Sequence, residues 1–142
     1  MIFCCQTKFF NNRKPDSRGG EQMSKKKVKV LIVEDGRREQ YIWCKKLAGK
    51  VVVVSAFSIT EAEEQFVANP DIVAIVMDAC VPGDQPTTPS LVRKFRSTFA
   101  GPMIAVSGRS DYQQQLLEAG CDYQSSKKDL PEKLLEVLGL FR

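Results

Sequence analysis

The sequence of 142 residues contains no histidine. This absence excludes Ser-His-Asp and Cys-His catalysis, zinc sites built on imidazole, and a histidine phosphocarrier role. The sequence also lacks an apolar run near the roughly 18 to 20 residues that a membrane-spanning helix needs, so we expect no membrane partner. Any chemistry must therefore use carboxylates, lysines, hydroxyls or thiols.

The sequence lacks a Cys-x-x-Cys motif, and its five cysteines are Cys4, Cys5, Cys44, Cys80 and Cys121. An odd number in this arrangement is typical of free thiols in a reducing compartment rather than of a disulfide framework or a metal cage. We therefore expect a cytoplasmic protein.

Positive charge is concentrated near the N-terminus. Residues 1–27 carry seven Lys or Arg against two acidic side chains, a net charge of +5, whereas residues 28–142 carry 14 basic and 15 acidic side chains, a net charge of −1. The nearly neutral remainder argues against direct nucleic-acid binding. We expect residues 1–26 to form a disordered or tag-like N-terminal extension and residues 27–142 to form a single domain with an ordinary core.

Short apolar runs alternate with helical patterns from residue 28 onward. Strands are predicted at 28–33, 51–56, 72–77 and 103–107, with a weaker fifth strand at 121–125. Near-continuous apolar runs are typical of strands buried on both faces, as in a parallel sheet. Five strand–helix units predict an α/β fold with a doubly wound, five-stranded parallel sheet flanked by five helices.

Caps and apolar spacing predict where the helices begin and what they bury. Thr60 and Glu63 match a capping box for the second helix. Pro89 suits the first turn of the third helix, Gly120 suits the end of the fourth, and Asp129 suits the N-cap of the fifth. The side chains expected to face the core are Tyr41, Cys44, Ala48, Ala62, Phe66, Val67, Val92, Phe95, Phe99, Leu134, Leu135 and Leu138.

Charged or polar residues follow four of the predicted strands. The first strand ends in Glu34-Asp35, the third in Asp78 and the fourth in Ser107, and Lys127 follows the fifth. In a doubly wound sheet, sites form outside the carboxyl ends of the strands, where the strand order reverses. Clustered carboxylates suit a hard divalent cation such as Mg²⁺, and a carboxylate can also form an aspartyl phosphate. A lysine and a hydroxyl would then contact the phosphoryl oxygens.

Four segments in this order and spacing resemble the receiver domains of response regulators in two-component signalling, a CheY-like superfamily. They are VLIVEDG, IVMDACVPG, IAVSG and GCDYQSSK. The resemblance covers residues 28–140. It implies a flavodoxin-like sheet with the strand order 2-1-3-4-5.

Carried over residue by residue, the resemblance implies that Asp78 is the phosphoacceptor. Glu34-Asp35 would bind Mg²⁺ together with Asp78 and the backbone carbonyl of Cys80. Ser107 takes the place of the switch hydroxyl that moves toward the phosphoryl group, and Lys127 takes the place of the lysine that pairs with it.

The resemblance also implies a function without a separate enzymatic activity. A sensor histidine kinase or a histidine phosphotransfer protein would supply the phosphoryl group, and the chain would catalyse only its own phosphorylation and dephosphorylation. Little sequence remains after the fifth helix, so we expect a stand-alone domain. It would signal to an unknown downstream protein, as a monomer or a phosphorylation-dependent dimer.

Several positions depart from the family pattern. Lys128 stands where a proline usually follows the lysine, and Gln124 stands where an aromatic switch residue is usual. Tyr123 lies one residue early, so either the fifth strand carries a bulge or the aromatic part of the switch is missing. The segment 84–89 is longer than usual. These departures leave open a degenerate receiver-like adaptor that binds partners independently of phosphorylation.

A small enzyme is the third possibility, either a Mg²⁺-dependent phosphatase or a flavodoxin-like protein. Asp78 is followed by Ala79-Cys80, so the second acid expected two residues later in haloacid-dehalogenase-type phosphatases is missing. Glu34-Asp35 would repel the phosphate of a flavin. Both features argue against an enzyme.

Overall fold

A computed structural model describes residues 26–140 as one alternating series of strands and helices. The elements are β1 (Lys29–Val33), α1 (Arg37–Leu47), β2 (Val52–Ala56), α2 (Ile59–Ala68), β3 (Ile72–Asp78), α3 (Pro89–Arg96), β4 (Met103–Val106), α4 (Ser110–Ala119), β5 (Tyr123–Ser125) and α5 (Leu130–Val137). The extension expected at residues 1–26 lies, apart from its last residue, outside the described part of the chain. Its predicted disorder and the predicted domain boundary both stay predictions.

The five strands form one sheet in the order β2-β1-β3-β4-β5, and every pair is parallel. The predicted α/β fold with strand order 2-1-3-4-5 is therefore confirmed. Val33 at the end of β1 pairs with Ala56 and Met77, while Asp78 pairs with Val106. This register brings the carboxyl ends of the four strands to the same edge.

The sheet is buried on both faces because alternate residues of each strand serve two separate cores. Leu31 packs with the side chains of α2, α3 and α4, whereas Ile32 packs with those of α1 and α5. Both residues have no solvent exposure. Parallel strands in such a layer need apolar residues at nearly every position, which is the pattern that the sequence shows.

Some predicted core positions are wrong. Tyr41 is 55% exposed and Val67 is 78% exposed, and Ala48 is also exposed. On α1 the buried residues are Gln40, Trp43, Cys44 and Leu47. Their spacing defines one helix face, and Tyr41 lies about 100° away from Gln40 on the solvent side.

The end of α4 explains why β5 is shorter than predicted. Gly120 has a φ of 140° and ends the helix, as expected. The N–H of Cys121 donates to the carbonyl of Leu116, so residue 121 still completes the helix cap and cannot join the sheet. The strand begins at Tyr123 instead.

The N-cap prediction is confirmed at α5 and wrong at α2. Asp129 occupies the N-cap of α5 without a side-chain cap hydrogen bond, and its own N–H donates to Ser126 Oγ. At α2 the N-cap is Ser58, whose Oγ accepts a hydrogen bond of 3.1 Å from the N–H of Glu61. Thr60 is therefore inside the helix, because the chain turns immediately after β2 rather than two residues later.

The described cysteines differ in their state. Cys80 and Cys121 are free thiols, as expected, whereas Cys44 is disulfide-bonded, so the expectation of free thiols is wrong at that position. Among residues 26–140, no helix combines the length and apolar character needed to cross a membrane.

We expect Ser58→Ala to lower the free energy of unfolding by about 1 kcal/mol, because a helix N-terminal N–H loses its acceptor. Thr60→Ala is the matched control and should change stability by less than about 0.5 kcal/mol, since Thr60 is exposed. Urea unfolding of both variants measures the difference. An equal or larger loss for Thr60→Ala would contradict this position of the cap.

Candidate functional site

Three carboxyl groups meet at the carboxyl edge of the sheet. Glu34 and Asp35 follow β1, and Asp78 is the last residue of β3. One oxygen of each carboxyl group lies within 4.8 Å of the other two. Glu34 and Asp78 are only 1% and 4% exposed. The sequence predicts that these three residues converge, and the structure brings them together.

Lys127 is the cation that reaches the carboxylates. Its Nζ lies 3.2 Å from Glu34 Oε1 and 3.6 Å from Asp78 Oδ1. The neighbouring Lys128 is exposed and makes neither of these pairs. One lysine therefore faces three carboxyl groups, which leaves the cluster with excess negative charge.

Burial and mutual repulsion shift the ionisation of this cluster. Desolvation, followed by the negative charge of Glu34, raises the pKa of Asp78 to about 7, against the opposing effect of Lys127. Desolvation also raises the pKa of Glu34, although a hydrogen bond from the N–H of Gly36 partly offsets it. Desolvation by itself would lower the pKa of Lys127, but the carboxylates of Asp78 and Glu34 outweigh it and raise that pKa.

A cavity of about 220 Å³ opens above the cluster. Its lining includes Asp35, Asp78, Cys80, Ser107 and Lys127. Ser107 is 5% exposed, and its Oγ accepts a hydrogen bond of 3.1 Å from the N–H of Arg109 at the start of α4. All the residues singled out from the sequence thus lie at or directly beneath one cavity, with Glu34 at its buried base.

The long segment after β3 is attached to the strand end by two threonines. Thr88 Oγ1 lies 2.8 Å from the carbonyl oxygen of Asp78 and 3.1 Å from that of Ala79. Thr87 Oγ1 accepts a hydrogen bond from the N–H of Val81 and donates to its carbonyl oxygen, both at 2.9 Å. These bonds fix the backbone on either side of Cys80. Sequence reasoning missed them, although two threonines directly before a helix-opening proline are a turn signal.

The structure shows whether β5 carries a bulge and on which side of the sheet the Tyr123 ring lies. Tyr123, Gln124 and Ser125 pair with Ile104, Ala105 and Val106 in unbroken register, so β5 has no bulge. Ile104 belongs to the core of α1 and α5, and Lys133 of α5 stacks on the Tyr123 ring. The ring therefore lies on the α5 side, and the exposed Gln124 occupies the position on the α4 side.

Other polar residues that support the site were not found from the sequence. Gln40 Nε2 lies 3.1 to 3.2 Å from the carbonyl oxygens of Ile32, Glu34 and Ala56. The indole N–H of Trp43 donates to the carbonyl of Lys127 at 3.1 Å. Their partners are backbone atoms of distant segments, and no sequence pattern reports such contacts.

Gln113 of α4 has a similar supporting role. Its Nε2 donates to the carbonyls of Ser107 and Ser125 at 2.8 and 3.1 Å. The ends of β4 and β5 are therefore joined through one amide group.

The donor set fits a hard divalent cation. Glu34 Oε1 is buried and accepts no hydrogen bond from the described residues, although it forms the ion pair of 3.2 Å with Lys127 Nζ, and a buried carboxylate oxygen without a hydrogen bond is costly. Three carboxyl groups around an open cavity supply the oxygen ligands that Mg²⁺ prefers, and the cavity leaves room for its waters. The cluster has the chemistry of a cation site.

We expect Asp78→Asn to stabilise the protein at pH 8 in the absence of divalent cations. A carboxyl group whose pKa is raised from 3.8 to about 7 binds its proton more tightly in the folded state, so stability falls as the pH rises between these values. The amide removes this loss, and the gain at pH 8 should be on the order of 1 to 3 kcal/mol.

Urea unfolding at pH 4 and pH 8 in EDTA measures the effect. The stability gained in Asp78→Asn should shrink toward pH 4. Asp84→Asn at the exposed rim should leave the free energy of unfolding nearly unchanged at both pH values. A loss of stability in Asp78→Asn at pH 8 would show that the charged form of Asp78 stabilises the fold.

Solved structures share this architecture. No protein-family model and no curated protein matches the sequence. The N-terminal domain of an uncharacterized protein from Wolinella succinogenes is 24% identical and superposes with a TM-score of 0.65, covering 80% of this chain and 91% of that one.

Two further similar structures are receiver domains. A CheY-like response regulator receiver domain protein from Methanospirillum hungatei is 22% identical with a TM-score of 0.64, covering 80% of this chain and 95% of that chain. The second is a complex from Saccharomyces cerevisiae between the receiver domain of Ssk1 and the histidine phosphotransfer protein Ypd1. The match has 21% identity and a TM-score of 0.64, and it covers 78% of this chain and 88% of the matched chain. The chain therefore has the fold of response regulator receiver domains.

Proposed function

We propose that this chain is a receiver domain that accepts a phosphoryl group on Asp78 and signals through protein–protein contacts. The observation that carries the proposal is the convergence of Glu34, Asp35 and Asp78 with Lys127 at the carboxyl edge of the sheet. The receiver fold supports a signalling role over that of a classical enzyme.

The proposed reaction is an in-line displacement at phosphorus. A carboxylate oxygen of Asp78 attacks the phosphorus of a phosphohistidine, the P–N bond breaks, and its electron pair leaves with the imidazole nitrogen, which takes a proton from solvent. Lys127 Nζ, already 3.6 Å from Asp78 Oδ1, is near enough to pair with the phosphoryl oxygens. The Ser107 hydroxyl lines the same cavity and can donate a hydrogen bond to another oxygen.

Mg²⁺ would be held by the carboxylates of Glu34, Asp35 and Asp78 and by the backbone carbonyl of Cys80. When bound, the cation supplies positive charge that neutralises the transferred phosphoryl group. Glu34 Oε1 is buried and accepts no hydrogen bond from the described residues, which supports this assignment.

The proposed phosphodonor is a histidine kinase or a histidine phosphotransfer protein. The complex of a similar receiver domain with the histidine phosphotransfer protein Ypd1 supports this class of partner. We propose that the exchange takes place in the cytoplasm, where a phosphohistidine is made from ATP. The downstream protein partner and any phosphorylation-dependent dimer belong to the same proposal.

A receiver-like adaptor that ignores phosphorylation is the second candidate. The position of Tyr123 favours it, since the ring packs under Lys133 on the α5 side and Gln124 replaces an aromatic on the α4 side. In this case the acidic cluster would bind a cation without passing a signal to the surface of β5.

We expect acetyl phosphate with Mg²⁺ to add one phosphoryl group to the wild-type protein. Asp78→Asn should abolish the modification, because an amide is not a nucleophile toward phosphorus. Intact-protein mass spectrometry and the lability of an acyl phosphate to hydroxylamine measure the product. Asp84→Asn is a matched control at the rim of the same cavity and should be modified like the wild type.

Two results would contradict the phosphoacceptor proposal. One is a folded wild-type protein that stays unmodified with Mg²⁺ present, which would favour the adaptor. The other is equal modification of Asp78→Asn, which would move the acceptor to another side chain.

We expect beryllofluoride with Mg²⁺ to shift the amide NMR signals of Arg109 and Tyr112 more than that of Tyr123. If Ser107 turns toward the phosphoryl mimic, its Oγ leaves the N–H of Arg109, and the start of α4 must respond. Ser107→Ala should remove the shifts at α4 while local shifts around Asp78 persist. In the wild type, shifts around Asp78 without shifts at Arg109 and Tyr112 would support the adaptor.

A further inference from the structure

The segment that carries Lys127 lacks the proline expected from the family pattern. A proline fixes the backbone φ angle of its own position, whereas Lys128 leaves this dihedral free. The side chain of Lys127 is 37% exposed, unlike the buried carboxylates that it faces. A long, flexible lysine side chain holds its ammonium group at a site only if its backbone is fixed.

Hydrogen bonds tie this segment down on both sides of Lys127, and one of them reaches the backbone of Lys127 itself. Gln113 holds the carbonyl of Ser125, and Ser126 Oγ accepts the N–H of Asp129. The indole N–H of Trp43 donates to the carbonyl of Lys127 at 3.1 Å. Trp43 therefore acts on the residue whose Nζ reaches Glu34 and Asp78.

Trp43 is well suited to hold a fixed position. Its side chain is 2% exposed and packs in the core formed with α5, which includes Leu130 and Leu134. A buried indole N–H without an acceptor is costly, so the hydrogen bond to the carbonyl of Lys127 is costly to break.

The same helix also holds the acidic side of the site. One turn before Trp43, Gln40 binds the carbonyl of Glu34 and ties the start of α1 to the end of β1. Helix α1 thus contacts the backbone of Glu34 through Gln40 and the backbone of Lys127 through Trp43. It sets the distance between the two charges.

We propose that Trp43 is a positioning residue for phosphoryl transfer, which fixes the backbone of Lys127 and takes over the role of the missing proline. The inference rests on the proposed phosphoacceptor function. Trp43 does not touch the reacting atoms, and its effect on the reaction passes entirely through Lys127.

The chain contains one tryptophan, so a tryptophan analogue incorporated during expression replaces Trp43 alone. β-(3-Benzothienyl)alanine keeps the shape of the ring but replaces the N–H donor with sulfur. 5-Fluorotryptophan keeps the donor and is the matched control. Each form is made in the wild-type sequence and in Lys127→Ala.

We expect the sulfur analogue to lower the maximal rate of phosphorylation by saturating acetyl phosphate and Mg²⁺ by about fivefold, the effect of one ordinary hydrogen bond. 5-Fluorotryptophan should keep the wild-type rate. In Lys127→Ala, both forms should react at the same reduced rate, because Trp43 no longer has a lysine to position. An equal fractional loss in both backgrounds would show a merely structural role and overturn the proposal.

NMR provides a test that does not depend on phosphorylation. The through-hydrogen-bond coupling between the Trp43 indole nitrogen and the Lys127 carbonyl carbon should be observed in the natural protein. The Lys127 Cε should be ordered with 5-fluorotryptophan and more mobile with the sulfur analogue. If the wild type is not phosphorylated, the proposed function fails, and unchanged order at Lys127 separately overturns the positioning role.

Discussion

The burial of Glu34 and Asp78 against a single lysine, with the half-buried Asp35 beside them, is the constraint on which the rest of the structure depends. Water would stabilise these charges, but the parallel sheet withdraws Glu34 and Asp78 from it. The protein tolerates the cost because neighbouring strands end in register and the backbone around each acid is held by side chains. Gln40, Thr88 and Trp43 each bind carbonyls next to a charged group. The apolar layers on both faces of the sheet supply the stability that offsets the cost of burying this cluster.

The cluster couples ionisation, cation binding and chemistry. Without a cation, the raised pKa of Asp78 leaves a sizeable protonated fraction near neutral pH. A carboxyl group in that state is a poor nucleophile. A cation bound at Glu34 and Asp35 would offset the repulsion among the carboxylates and favour the ionised form of Asp78. The same cation would therefore also prepare Asp78 as the proposed acceptor. In the proposed reaction, the reactive state of Asp78 would therefore require an occupied cation site.

Sequence reasoning was most reliable where chemistry follows directly from topology. Asp78 ends β3 and Lys127 follows β5, and these strands run in the same direction, so both residues lie at the same edge of the sheet. It was least reliable where a contact depends on how distant segments are oriented. Trp43 binds a carbonyl 84 residues away, and no periodicity encodes that pairing. Likewise, Ser58 rather than Thr60 caps α2 because the exit from β2 decides which residue precedes the first turn.

The amide of Gln113 has a consequence for how this surface can change. Its Nε2 donates to the carbonyls of Ser107 and Ser125, so one side chain of α4 joins the ends of β4 and β5 through their backbone. The exposed side chains of Tyr123 and Gln124 take no part in these two hydrogen bonds. Substitutions on this outer strand can therefore change the exposed surface while Ser107 and Lys127 keep their separation. In the proposed function, the surface of β5 and the chemistry at Asp78 would use different side chains, so one could change without the other.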